Sequence, residues 1–164
     1  PRRFFPTPAF CPGGAGRCAA EPVKTLARRK LRHSGAKLAK EVFQPVILGG
    51  PAEQEIAAEV AEHEDTALNL CGQTSFGDIA ALARQALAAI GNDTGPMHLI
   101  SAAGCPVISL FGGTSRPEQS APNGKNVTVL RAIPIEKLPP EDVWQGFAET
   151  IRKSAAAGAE TRSA

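Results

Sequence analysis

Five consecutive residues, Gly91-Asn92-Asp93-Thr94-Gly95, stand between an apolar run at 86–90 and a stretch with apolar residues at helical spacing at 96–103. Asp93 or Thr94 can cap that helix. Pro96 suits its first turn, where the missing N–H has no helical partner. A helix that starts at the carboxyl end of a buried strand turns its free N–H groups and the positive end of its dipole into a crevice. Such a place suits an anion, typically phosphate. Thr94 offers a hydroxyl and a backbone N–H, and Gly95 lets an anion approach the backbone closely. His98 follows Thr94 by four residues, on the same helix face and within reach of the same ligand. A second reading stands beside this one: Asp93 simply caps the helix, and His98 is a partly buried polar residue.

Two further turns carry candidate residues. Glu53 opens the helix after the first strand. An acid there stabilises a helix N-terminus by roughly 0.3–1 kcal/mol; the functional alternative is a carboxylate that accepts ribose hydroxyls. Gln73, Thr74 and Ser75 either flank a base, mainly through backbone groups, or make a plain turn. The sequence has no GxxxxGK[ST] phosphate loop, no HExxH and no GxSxG, and no carboxylate pair stands out by spacing. A lone Asp93 is a poor magnesium site. No metal, no cofactor and no catalytic residue is therefore assigned. The residues describe a place to hold a nucleotide diphosphate.

The elements that must position these turns follow in order from about residue 45. Strands are expected at 46–48, 67–71, 86–90, 106–111 and 127–130. Helices are expected at 52–64, 76–86, 96–103 and from Pro139-Pro140 to about 153. Ser75 with Asp78 has the form of a capping box, and Ile79, Leu82, Ala83 and Ala86 make one core-facing stripe. Residues 117–125 read as loop. Apolar strands alternating with helices predict an α/β fold: a Rossmann-like parallel sheet with helices on both faces and right-handed crossovers. Ligands bind beyond the carboxyl ends of such strands. The turns at 49–53, 72–75, 92–95 and 112–115 collect at that edge.

The 164 residues suffice for one domain with a core, and 43% hydrophobic content is ordinary for a globular chain. No apolar run approaches the roughly 20 residues that cross a bilayer, and no signal-peptide core follows the N-terminus. A start on Pro1 leads one to expect processing, or a chain that begins inside something larger. Charge is split. Residues 1–40 hold ten Lys or Arg against one acid, a formal +9; residues 41–164 hold eight against fifteen, a formal −7. The basic segment is either solvated or a patch for anionic phospholipid or nucleic acid. Few aromatics interleave with its charges, so stacking on bases finds no support and nucleic acid is not expected as a partner. Residues 1–44 read as an irregular basic segment, residues 45–155 as the Rossmann-like nucleotide-binding domain, and 156–164 as a frayed tail. A GlyxGlyxxAla match at 14–19 lacks a preceding strand, and 23–40 has helix-forming composition. Cys71 and Cys105 sit in apolar runs and read as small buried hydrophobes. With no CxxC pair, a reducing compartment fits.

Residues 91–112, GNDTGPMHLISAAGCPVISLFG, closely resemble the signature of glycosyltransferase family 9, the heptosyltransferases. The likeness extends to VILGGPAEQE at 46–55, NLCGQTS at 69–75 and APNGK at 121–125, in the same order and spacing. The resemblance implies one half of a GT-B architecture, the C-terminal half that binds the donor. It implies that Thr94 and Gly95 hold the diphosphate of a sugar nucleotide, commonly ADP-heptose. Asp93 and His98 would border the sugar and phosphates, Glu53 would hold the ribose, and Thr74 and its neighbours would lie beside the base. The family inverts the anomeric centre by direct displacement, with lipopolysaccharide core as acceptor at the cytoplasmic face of the inner membrane. A cytoplasmic protein is then expected, peripheral at that membrane, with contact to its anionic surface. The family's acceptor domain, which supplies the general base, is absent from this sequence. So is the Lys that usually precedes a Trp-Pro pair before the donor domain, and Lys24 is its nearest substitute. The alternative is a non-catalytic nucleotide-sugar-binding module or remnant, folded but inert.

Overall fold

The structure, a computed structural model, describes residues 9–11, 44–62, 67–113 and 115–160, and the side chains of all these except 9–11 and 154–160. In chain order the elements are β1 (Ala9–Cys11), β2 (Val46–Ile47), a 3-10 turn (Pro51–Glu53), α1 (Gln54–Ala61), β3 (Leu68–Asn69), α2 (Phe76–Gln85), β4 (Ala89–Asn92) and α3 (Gly95–Ala102). There follow β5 (Val107–Phe111), α4 (Pro117–Ser120), β6 (Val127–Arg131), a second 3-10 turn (Ile135–Lys137) and α5 (Pro140–Glu160). The strands form one sheet in the order β3-β2-β1-β4-β5-β6, and every pair is parallel. This is the doubly wound parallel sheet that the alternation of strands and helices predicts.

Register fixes which side chains share a face. Val46, Ala89, Val107 and Val127 lie in one line across the sheet through Ala9. Val46, Ala89 and Val107 pack with Ile79 and Ala83 of α2 and with Met97 and Ile100 of α3, and Val127 lies against that cluster. The neighbouring line, Ile47, Ile90 and Ile108, faces the other way. Ile47 meets Ala57 and Val60 of α1, while Ile90 and Ile108 meet Val143 and Phe147 of α5. So α2 and α3 cover one face, and α1 and α5 the other. Val107, Ile108, Ile100 and Phe111 are fully enclosed. Burying each such side chain contributes about 1.5–3 kcal/mol, which is why the central strands carry no polar alternation. Trp144 stacks on Phe147 with centroids 5.4 Å apart, beside that second cluster.

Several expected boundaries move. β4 runs through Gly91 and Asn92, two residues read from sequence as turn, because β5 pairs with both and β1 with Gly91. Residues 117–125, read as loop, begin with the helical turn α4. The last helix continues to Glu160, so 156–160 are helical rather than frayed. The largest correction falls in the segment read as irregular. Residues 9–11 form a strand at the middle of the sheet, between β2 and β4. The sheet therefore does not start at residue 45. The expectations placed on 12–43, namely the glycine-rich match at 14–19, a helix over 23–40 and a role for Lys24, lie outside the described residues. Among the described residues, no helix is long and apolar enough to cross a membrane.

Candidate functional site

In a parallel sheet all carboxyl ends lie along one edge, so the loops after β2, β3, β4 and β5 collect there. The chain leaves β1 towards β2 on one side, and the sheet resumes with β4 on the other. That reversal between β1 and β4 is the switch point of the sheet, at whose carboxyl edge doubly wound folds bind ligands. The turn at 93–95 forms one lip of that edge.

Thr94 occupies the N-cap position of α3 with extended backbone, yet its side chain makes no capping bond. Gly95 and Pro96 make its first turn, and Met97 N donates to Thr94 O at 3.1 Å. The Thr94 Oγ1 atom is enclosed and has no hydrogen-bond partner among the described residues. A threonine hydroxyl in that state loses the hydration of its polar atom with nothing in exchange, a penalty of about 1–3 kcal/mol. A ligand acceptor in the crevice would remove it. Gly95 is exposed, and a Cβ placed there would meet no described atom within 4 Å. Among the described residues the helix start is thus uncapped and unobstructed.

Asp93 does not cap α3. Its backbone N–H donates to Leu110 O at 3.3 Å, and its Oδ2 accepts from Ser120 Oγ at 2.9 Å. Its Oδ1 stands 3.9 Å from His98 Nε2, one turn into the helix, where the imidazole is 46% exposed. Asp93, Thr94, Gly95 and His98 are therefore one group at one lip, as their spacing predicts. Ser120 belongs with them and was missed from sequence. The available signal was Pro117 followed by Glu118, a helix-start pattern inside what reads as loop.

Glu53 and Thr74 form the second group, beyond β1. Glu53 is buried, and its Oε2 accepts the Gly50 N–H at 2.5 Å while its own N–H donates to Gly50 O at 3.0 Å. The carboxylate thus closes the Gly49–Gly50 turn, the helix-start role foreseen for it. Gly72 N donates to Gly49 O at 2.8 Å, which binds the loop carrying Thr74 to the loop carrying Glu53. Gly72 has φ +72, a backbone conformation that favours glycine, while an added Cβ would displace only the flexible end of Gln54. Cys71 lies beneath, its Sγ donating to Gly50 O at 3.2 Å; burial, and then the Glu53 charge, push its thiol up. Thr74 is half-buried next to Ser75. Ser75 caps α2: its Oγ accepts from Asp78 N, and Asp78 accepts the Ser75 N–H at 2.9 Å. β2 and β4 are two strand spacings apart, so the groups are about 10 Å from each other along the edge. One nucleoside diphosphate can bridge that span.

A family description, "Glycosyltransferase family 9 (heptosyltransferase)", matches residues 9–144. Lipopolysaccharide heptosyltransferase 2 of Salmonella typhimurium is 26% identical over 152 residues, covering 89% of this chain and 42% of that protein. Lipooligosaccharide heptosyltransferase 2 of Haemophilus ducreyi is 29% identical over 155 residues, covering 89% and 43%. Among solved structures, E. coli ADP-heptose lps heptosyltransferase II superposes with a TM-score of 0.80 at 23% identity, covering 92% of this chain and 48% of that one. E. coli heptosyltransferase WaaC with ADP-2-deoxy-2-fluoro heptose gives 0.72 at 25% identity, covering 91% and 44%. The chain spans less than half the length of each of these relatives. The superpositions place its sheet as one Rossmann-like half of a GT-B fold.

Proposed function

From the premise that this chain belongs to glycosyltransferase family 9, the heptosyltransferases, we propose that it is the donor-binding half of a transferase that moves a heptose, or a related sugar, from a nucleotide-diphosphate donor to lipopolysaccharide core. The observation that carries this reading is the start of α3. Among the described residues, a helix N-terminus at the switch point of a parallel sheet is left uncapped, with an enclosed Thr94 Oγ1 that has no partner and an unobstructed Gly95. A diphosphate oxygen supplies what both lack: an acceptor for the Thr94 hydroxyl and a negative charge at the positive end of the helix. Asp93 and His98 border the sugar and phosphates from the same lip. Glu53 and the Thr74 loop, about 10 Å away, receive ribose and base. The names of the relatives, one of them solved with an ADP-sugar, support adenine as that base and heptose as the sugar. The acceptor and its general base belong to a second domain that faces this crevice. The reaction then takes place in the cytoplasm, with the protein peripheral to the inner membrane that holds the acceptor.

Charge stabilisation of the departing diphosphate is this half's contribution to the displacement. Calorimetry with ADP tests it. The chain is expected to bind ADP, and Thr94→Ala is expected to weaken binding at least about tenfold. Gly95→Val is the second probe: a Cβ there meets no described atom within 4 Å, and the added side chain stands in the approach of the anion, so loss of ADP binding is expected. Absence of ADP binding at millimolar concentration overturns the proposal.

A further inference from the structure

Ser120 ends α4, and its Oγ lies 2.9 Å from Asp93 Oδ2 and 3.1 Å from Arg116 O. A serine hydroxyl has one proton, so the two acceptors compete for it, and a carboxylate is the stronger. The resulting bond joins residues 27 apart in sequence and ties the loop after β5 to the end of β4. The Asp93 backbone is fixed to the same strand, through its N–H to Leu110 O. Main chain and side chain of Asp93 are thus both held from the β5–α4 segment, next to a helix start built to receive negative charge. A carboxylate loose at that place would compete with the ligand for the same N–H groups and repel it.

We propose that Ser120 is a positioning residue for the donor: it holds the Asp93 carboxylate against α4, so that the incoming diphosphate meets the Thr94–Gly95 backbone without an unrestrained negative charge beside it. The role rests on the donor-binding reading above. It concerns the charged part of the donor only, and it acts through Asp93.

The test compares ADP with adenosine, which has the base and ribose but no diphosphate, on the full chain. Ser120→Ala is expected to weaken ADP about three- to tenfold, the effect of one hydrogen bond to a charged group, and to leave adenosine within about twofold. Ser120→Thr, which keeps the hydroxyl, is expected to restore ADP affinity. In an Asp93→Ala background, Ser120→Ala is expected to change nothing. Equal losses for ADP and adenosine, or a loss that persists without Asp93, would show that Ser120 serves only the end of α4 through Arg116, and would overturn the proposal. Wild-type binding of ADP that Ser120→Ala leaves intact overturns the positioning role alone. Failure of the wild type to bind ADP removes the donor-binding reading and the positioning role together.

Discussion

Cys105 shows how one side chain can couple this fold to pH. It precedes β5, buried, with Sγ donating to Pro106 O at 3.4 Å, and burial pushes its thiol up to about 12. In the unfolded chain the same thiol ionises near its ordinary value of 9.0. The folded value is the higher one, so the contribution is complete below about pH 9 and is lost as pH rises from there towards 12. Between pH 9 and pH 10 the wild type is expected to lose stability more steeply than Cys105→Ala, by roughly 1 kcal/mol, in urea titrations at the two pH values. Equal slopes would show that the thiol ionises freely in the fold. The burial of Cys71 and Cys105 could be read from the apolar runs around them. The bond between Ser120 and Asp93 could not, since nothing local marks two residues that meet only when β4 and β5 pair.

Among the elements, α2 is the one whose start is written most openly in the chain. Ser75 and Asp78 stand three apart before an apolar stripe, and the structure makes both bonds of the box. Ser75→Ala is expected to lower stability by roughly 1 kcal/mol at neutral pH, the usual loss for a serine cap. The bonds from Ser75 also hold the Asp78 carboxyl below its ordinary value. A depressed folded value means that this part of the stabilisation is present above the unfolded pKa and disappears as pH falls through the folded one. The difference between wild type and Ser75→Ala is therefore expected to shrink in acid, measured by thermal melts from pH 7 down to pH 2. A constant difference would assign the whole effect to the hydroxyl. Where local chemistry was ambiguous the sequence reading slipped by a few residues. Gly91 and Asn92 favour turns by themselves, but pairing on both sides of β4 outweighs that preference.

Across the whole molecule, alternating apolar strands and helices were enough to foresee a parallel sheet, its two covered faces and the edge that carries the candidate site. The strand at 9–11 escaped because three residues among prolines and basic residues carry no period of their own; only the sheet makes them a strand. Packing between distant segments is just as invisible from local pattern. Gly112, after β5, is such a point: a Cβ there would lie 2.7 Å from Ile135 Cβ, and Ile135 is buried with Val143 and Phe147. Gly112→Ala is expected to destabilise the fold by about 1–3 kcal/mol through overpacking, read as a lower denaturation midpoint at unchanged m-value. Stability equal to wild type would mean that the second 3-10 turn shifts freely away from the sheet.

The central place of β1 has a consequence in time. Its two neighbours pair through Ala9 with Val46 and with Ala89, so this strand, made before them, must wait for partners some 37 and 80 residues downstream. At about 5–20 residues per second of synthesis, that is a delay of seconds with strand edges unpaired. Each of those closures is non-local, the kind that slows folding most. The step that closes the second edge of β1 is thus the same step that brings β4, and with it Asp93 and Thr94, beside β1. The candidate site therefore takes shape only after β4 has been made and paired.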